Sequence, residues 1–280
     1  MNDNNSTKIY LHQLFTKESY IKYIDQFNNN EKDVKDYQDI NKHEKRLGKS
    51  DNGEDGLLKY IVEKIGINNK YYVEYGAWDG TTSSNTYHFR EKENWNGLNL
   101  EGNINKVNSI SIEERTRINL HQEYVTEENI NFLFKKYDVP KVFDILSIDI
   151  DSYDYYTWKG LTEYTPNIVI IEYNPGLPND IPLVVDKKSE TNHAERGYFG
   201  GNLLAYFLLA EEKGYKFVTT VRWNAIFVKK DLFHKLEINE ISKDECIKNY
   251  FKPNKWWVNE VFHKRGFGNY DSWITFASLT

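Results

Sequence analysis

Three groups of residues in this chain have the types and spacing to do chemistry. The first is a turn, Glu74-Tyr75-Gly76-Ala77-Trp78-Asp79-Gly80, directly behind the short apolar run Tyr71-Tyr72-Val73. A strand that breaks on glycine before a helix presents backbone amides to a nucleotide-like ligand. The second is Glu101, which ends the run Gly97-Leu98-Asn99-Leu100. An acid at the end of a second strand accepts hydrogen bonds from both hydroxyls of a ribose. The third is a set of acids and one amide at the ends of two later apolar runs: Asp149, Asp151 and Asp154, then Glu172 and Asn174.

The turn departs from a dinucleotide fingerprint. That fingerprint needs a second glycine so that backbone can approach a pyrophosphate, and a third for close helix packing. Counted from Gly76, those positions hold Trp78 and Thr81. Bulk at Trp78 disfavours phosphate, and the acid Glu74 suits a cation better than an anion. S-adenosylmethionine fits this pattern, since it carries adenosine, an α-amino group and a sulfonium but no phosphate. A nicotinamide-dependent oxidoreductase shares the strand-end acids but not Trp78. A nucleotide-sugar transferase would need basic residues that Gly76–Gly80 lacks. A non-catalytic nucleoside-binding protein would have no use for the later acids.

Those later acids permit two chemistries. Asp149, Asp151, Glu172 and Asn174 offer oxygen ligands of the kind Mg²⁺ prefers, and a bound cation would orient an acceptor hydroxyl and lower its pKa. Alternatively a carboxylate acts directly as general base. His193 lies in the polar stretch 186–199, just ahead of Tyr198-Phe199-Gly200-Gly201. A loop histidine beside an acceptor site can take a proton near neutral pH. His88 and His121 suggest no role.

The elements that must position these residues follow from periodicity. Leu57, Leu58, Ile61, Val62 and Ile65 repeat at helical spacing behind a polar turn at 51–56, and Gly66 stops them. Strand and helix patterns then alternate. Strands are expected at 71–74, 97–101, 118–124, 142–150 and 167–172, with helices at 82–92, 127–136 (capped by Thr126), 154–161 and 203–213. The runs 216–221 and 224–228 form an antiparallel hairpin. The near-continuous apolar character of 142–150 and 167–172 marks strands covered on both sides. The expected fold is α/β: a Rossmann-like, mostly parallel seven-stranded sheet with an antiparallel last strand and helices on both faces. Residues 1–50 carry weak helical patterns at 9–27 and 33–46 and are assigned to an N-terminal helical extension. Residues 51–280 form the main domain.

Composition narrows the function classes. The net charge of −6 gives no general nucleic-acid surface. No apolar run approaches the length of a spanning helix, and MNDNNSTKIY lacks the parts of a signal peptide. One cysteine, Cys246, leaves no internal disulfide and fits a cytoplasmic protein. The 7 Trp include Trp256-Trp257, which suit sugar stacking or a homodimer contact but more simply pack into the core.

In block order the chain resembles FkbM-type members of the class I S-adenosylmethionine-dependent methyltransferases. VEYGAWDGTTSSNTYHFREKENWNGLNLEGN is similar to that family's cofactor motif. FDILSIDIDSYDYYTWKGL with PNIVIIEYNP is similar to its strand-four and strand-five blocks, and YFGGNLLAYFLLAEEKGYKFV with WNAIFV to its closing helix and hairpin. SDNGEDGLLKYIVEKIG is similar to its entry turn and helix. The resemblance spans about residues 51–228. It implies that Glu74, Gly76, Ala77 and Asp79 line the cofactor turn and that Glu101 binds ribose; Trp78, counted with the cofactor contacts, departs from the family pattern by filling that turn. It places Asp149 facing the transferred methyl, and it gives Asp151 and Glu172, with Asn174, as metal ligands if a metal is used. It implies a small-molecule or glycan acceptor, a sugar hydroxyl or a phosphate-derived oxygen, in surface-polysaccharide (capsule) or secondary-metabolite assembly. Ser152 departs from the family pattern, which has glycine there.

Overall fold

The computed structural model describes residues 22, 39–175, 177, 179–187, 200–249 and 273–275. His193, Tyr198, Phe199, Trp256-Trp257 and most of the two N-terminal helical patterns lie outside them.

Seven strands form one sheet: β1 (Tyr71–Tyr75), β2 (Asn96–Glu101), β3 (Leu120–Gln122), β4 (Val142–Ile148), β5 (Thr165–Glu172), β7 (Tyr215–Val221) and β8 (Asn224–Lys229). Their order across the sheet is β3-β2-β1-β4-β5-β8-β7. The first five are parallel, whereas β8 runs antiparallel between β5 and β7. This is the Rossmann-like sheet expected from the sequence. The side on which successive strands are added reverses between β1 and β4, and in such sheets ligands sit at that switch point, outside the carboxyl ends of the strands.

Strand alternation sorts the core into two layers. Val73, Tyr75, Leu146, Val169 and Ile171 face helices α5 (Ile130–Lys136), α6 (Asp154–Gly160) and α7 (Leu203–Glu212). Tyr72, Ile145, Ile168 and Ile170 face α1 (Glu54–Ile65), α2 (Tyr87–Glu93) and α8 (Lys230–Phe233). Helices therefore cover both faces. Short helices α3 (Ile104–Asn108) and α4 (Ile112–Arg117) join β2 to β3, and α9 (Lys243–Asn249) follows the sheet.

Local chemistry moved several boundaries. The helix expected from Thr82 begins at Tyr87, because Ser83 has φ +57° and Ser84, Asn85 and Thr86 spend their donors on Glu74. The helix expected from Glu127 begins at Ile130, and the Thr126 hydroxyl caps a turn ahead of it by accepting from the Asn129 amide (3.2 Å). The third strand shrinks to three residues. A small second sheet was not foreseen: β6 (Leu183–Val185), between β5 and α7, pairs antiparallel with β9 (Trp273–Thr275).

Residues 39–50, counted with the extension in the sequence reading, pack on the sheet domain. Ile40 is buried, Asn41 Oδ1 accepts from the Thr219 hydroxyl (2.7 Å), and its amide donates to Thr220 O (3.1 Å). The Asp39–His43 segment is a 3-10 turn. Buried Asp55 accepts from the amides of Leu47 (3.1 Å) and Gly48 (2.6 Å) and from the Ser50 hydroxyl (2.8 Å), which folds this segment onto α1.

Candidate active site

The carboxyl ends of β1, β2, β4 and β5 meet at one rim. Gly76 leaves β1 with φ +74°, and a Cβ there would lie 1.4 Å from the Asp149 carbonyl oxygen. The ends of β1 and β4 can touch only across a residue without a side chain. The turn closes with Gly80 N donating to Ala77 O (2.6 Å), and Ala77 N donates to Leu100 O (3.0 Å), which ties the turn to β2.

Glu74 is buried, and its carboxylate is engaged by protein. It accepts from the Ser84 hydroxyl (2.6 Å), the Asn85 amide (2.9 Å) and the Thr86 hydroxyl (2.5 Å), with Ser147 Oγ at 3.4 Å. Its work is to fold the loop after the turn. Asp79 also serves its own loop, accepting from the amides of Thr81 (2.8 Å) and Thr82 (2.6 Å) and from the Thr82 hydroxyl (2.8 Å). Burial raises the Asp79 carboxyl, but the bonds from Thr82 and Thr81 outweigh it and hold it below its ordinary range.

Glu101 is aimed differently. It is buried, and each oxygen takes one backbone amide: Trp78 N (2.8 Å) and Asn103 N (2.7 Å). A carboxylate oxygen has capacity for a second donor, so two acceptor positions are fixed in direction by the fold. Trp78 itself has φ +52° and is 49% exposed, so its ring does not pack into the core. The Lys106 ammonium lies 3.8 Å from the ring centroid, in a cation–π contact between α3 and the turn.

The rim acids are brought together. Asp149, Asp151 and Glu172 can each bring one oxygen to within 4.8 Å of the others. Asp149 and Asp151 are exposed and Glu172 is buried. Asp149 keeps solvent access yet is crowded by protein, and this lost hydration, followed by Asp151, Asp154 and Glu74, pushes its carboxyl well above the usual range, with Lys106 pulling the other way. Asp154 accepts from the amides of Ile150 (2.8 Å) and Ser152 (3.0 Å) and shapes the loop. Burial raises it to about 6. Asn174 is buried two residues beyond Glu172, and its backbone amide donates to Gly201 O (2.8 Å). Gly200 N in turn donates to Ser152 O (2.6 Å), so the Gly200-Gly201 pair bridges the loops after β4 and β5.

Sequence reasoning missed the residues that hold this rim. Ser84, Asn85, Thr86 and Ser147 serve Glu74; the polar run Ser83–Thr86 was the only signal for the first three, and Ser147 had only its place as a polar residue inside an apolar strand. Glu54, buried at the start of α1, accepts from Asn52 N (2.7 Å) and Asn224 Nδ2 (3.1 Å), and Asn224 pairs in register with Glu172. The Ser83 hydroxyl donates to Asp51 (3.1 Å). The 51–54 turn is thus a wall of the same rim.

No family model and no curated protein matches the chain. Among solved structures it is similar to a putative caffeoyl-CoA O-methyltransferase from Staphylococcus aureus, with 16% identity over 79% of this chain and 98% of that one, TM-score 0.41. It is also similar to the N-terminal domain of EvdMO1 with SAH bound (12% identity, 65% and 80% covered, TM-score 0.38). A third is a SAM dependent methyltransferase from Aquifex aeolicus (10% identity, 61% and 87% covered, TM-score 0.34). Likenesses this distant do not decide the fold, which rests on the strand order and register above.

Proposed function

We propose that the chain is an FkbM-type, S-adenosylmethionine-dependent O-methyltransferase. Its acceptor is a small molecule or glycan: a sugar hydroxyl first, a phosphate-derived oxygen second, in capsule or other surface-polysaccharide assembly or in secondary metabolism. The observation that carries the reading is the pairing of Glu101, pre-aimed by two backbone amides, with the close β1–β4 crossing that only Gly76 permits. The first suits a ribose diol. The second packs the turn after β1 directly against the Asp149 backbone at the switch point. A turn with Trp78 at its centre and no basic residue argues against a dinucleotide.

S-adenosylmethionine supplies an electrophilic methyl on sulfur. The protein's part is to bind, align and remove one proton. Glu101 accepts from the ribose hydroxyls, and the 76–80 turn holds the amino-acid end of the cofactor. Asp149 would take the proton that the acceptor hydroxyl loses on methylation. The carboxyl's raised affinity for a proton makes it a stronger base than a free aspartate. His193 is a second candidate base.

Asp151, Glu172 and the Asn174 amide would hold a divalent cation such as Mg²⁺, whose chemistry is to lower the pKa of the acceptor hydroxyl. The three-carboxylate spacing is compatible with hard-cation coordination after small side-chain movements. We assign no role in nucleic-acid binding or membrane insertion, and we place the enzyme in the cytoplasm, with a homodimer as its assembly.

The test is a thermal-shift and calorimetric titration with S-adenosylhomocysteine, with NAD as comparator, each with Mg²⁺ or EDTA. Binding of S-adenosylhomocysteine alone supports the reading. Binding of NAD instead, or of neither, overturns it. A Mg²⁺-dependent shift in the wild type that is lost in Asp151→Asn assigns the metal.

A further inference from the structure

We infer that Arg90 is a positioning residue for the cofactor turn, holding Gly80 from the protein side. The inference rests on the proposed function above. The Arg90 side chain is buried and ion-paired to Glu91, and its other nitrogens face the protein. Its Nη2 donates to Gly80 O (2.7 Å), its Nη1 to the Tyr72 hydroxyl (3.4 Å) and its Nε to Glu91 (2.8 Å). A planar guanidinium can make all three contacts in one fixed fork, which an ammonium cannot.

Each contact is anchored at its far end. The Tyr72 hydroxyl, on β1, also accepts from Asn99 Nδ2 (3.0 Å), on β2, and the same amide donates to Ile118 O (2.6 Å). Glu91 accepts from Arg117 (2.8 Å), which pairs with Glu114 as well (2.7 Å). Arg117 directly precedes Ile118, whose Cδ1 lies where a Cβ at Gly80 would come within 2.5 Å. Gly80, at φ +67°, is therefore held between Arg90 on one side and Ile118 on the other, and the two are linked to each other through Glu91–Arg117 and Tyr72–Asn99. The loop that leaves Gly80 returns to α2 through Thr86, whose hydroxyl holds Glu74. Arg90 lies one turn further along that helix. The turn is thus secured at its exit by a charge-assisted bond, while Glu74 secures the loop that follows.

A residue of this kind acts on cofactor affinity through the backbone it orients, without touching the ligand. The experiment measures the Kd for S-adenosylhomocysteine by calorimetry, together with Tm, for the wild-type full chain, Arg90→Met, Arg90→Lys and Asp144→Asn. Asp144 is a buried structural carboxylate at the opposite end of β4. It accepts from the amides of Asn68 (2.7 Å), Asn69 (3.0 Å) and Lys70 (2.8 Å), so its loss lowers Tm without reaching the rim. Losing a charge-assisted bond predicts a Kd about 10- to 100-fold weaker in Arg90→Met, with a smaller rise in Arg90→Lys. In turnover assays the cofactor KM rises while the acceptor KM holds. Asp144→Asn keeps the wild-type Kd. If Arg90→Met does not fold, Arg90→Lys carries the same comparison. A wild-type Kd in the Arg90 variants, or an equal Kd rise in Asp144→Asn, overturns the inference alone. Failure of the wild type to bind S-adenosylhomocysteine overturns the methyltransferase reading and the inference with it.

Discussion

The carbonyl oxygen of Asp149 occupies the space that any side chain on residue 76 would need, 1.4 Å from the position of a Cβ. Backbone cannot yield there without parting β1 from β4, which are bonded through Asp149 N and Tyr75 O (3.2 Å). Gly76→Ala therefore combines a steric clash with an unfavourable positive φ. We expect a loss of more than about 2 kcal/mol in urea unfolding, with S-adenosylhomocysteine binding abolished. A folded variant of wild-type affinity would contradict the crossing.

Glu101→Gln separates binding from folding. The amide keeps one acceptor oxygen but cannot serve both backbone donors and a ribose diol. Affinity for S-adenosylhomocysteine should fall about 10-fold or more, measured by calorimetry, while Tm falls modestly. An unchanged Kd would remove Glu101 from the ligand.

Glu74→Ala should behave in the opposite way. It leaves two hydroxyls and one amide, from Ser84, Thr86 and Asn85, without their acceptor in a buried setting. At about 1–3 kcal/mol per stranded group, the stability loss should reach at least about 3 kcal/mol. Chemical denaturation checks it, and a neutral result would mean that water replaces the carboxylate.

Lys213 gives a pH signature away from the site. Its ammonium donates to Leu161 O (2.8 Å) behind α6, and burial lowers its pKa from 10.5 to about 8. Between those values the unfolded chain holds more protons than the folded one, so the Lys213 contribution to stability rises with pH across that window. Below about pH 8 both states are charged and the cost is constant. Relative to Lys213→Met, the wild type should gain roughly 1–3 kcal/mol between pH 8 and 10. Parallel stability curves for the two proteins would refute the shift.

The order of elements was legible because each signal was local. β4 and β5 are buried along most of their length, Gly66 and Gly214 stop their helices with positive φ, and only two residues separate the paired runs 216–221 and 224–228. The rim acids were legible for the same reason, since strand ends mark the ligand side of such a sheet. What the carboxylates do was not. Glu74 and Asp79 look alike in sequence to Glu101, yet two fold their own loops and one keeps free acceptor capacity. That difference depends on donors brought in from Ser84, Asn85, Thr86 and Asn103. The β6–β9 pairing was also out of reach, because both strands are three residues long and far apart in the chain.

The position of β8 between β5 and β7 has a consequence for synthesis on the ribosome. β7 leaves the ribosome first but has no place on the sheet until β8 exists to bridge it to β5. Until residue 229 has emerged, β5 presents an open edge of unpaired backbone groups, one that can recruit another chain. The hairpin must therefore dock as a unit. Its turn then settles over the end of β5, where Tyr173 N donates to Trp223 O (2.7 Å), immediately beside Glu172. The step that seals the sheet against aggregation is the same step that completes the rim beside Glu172.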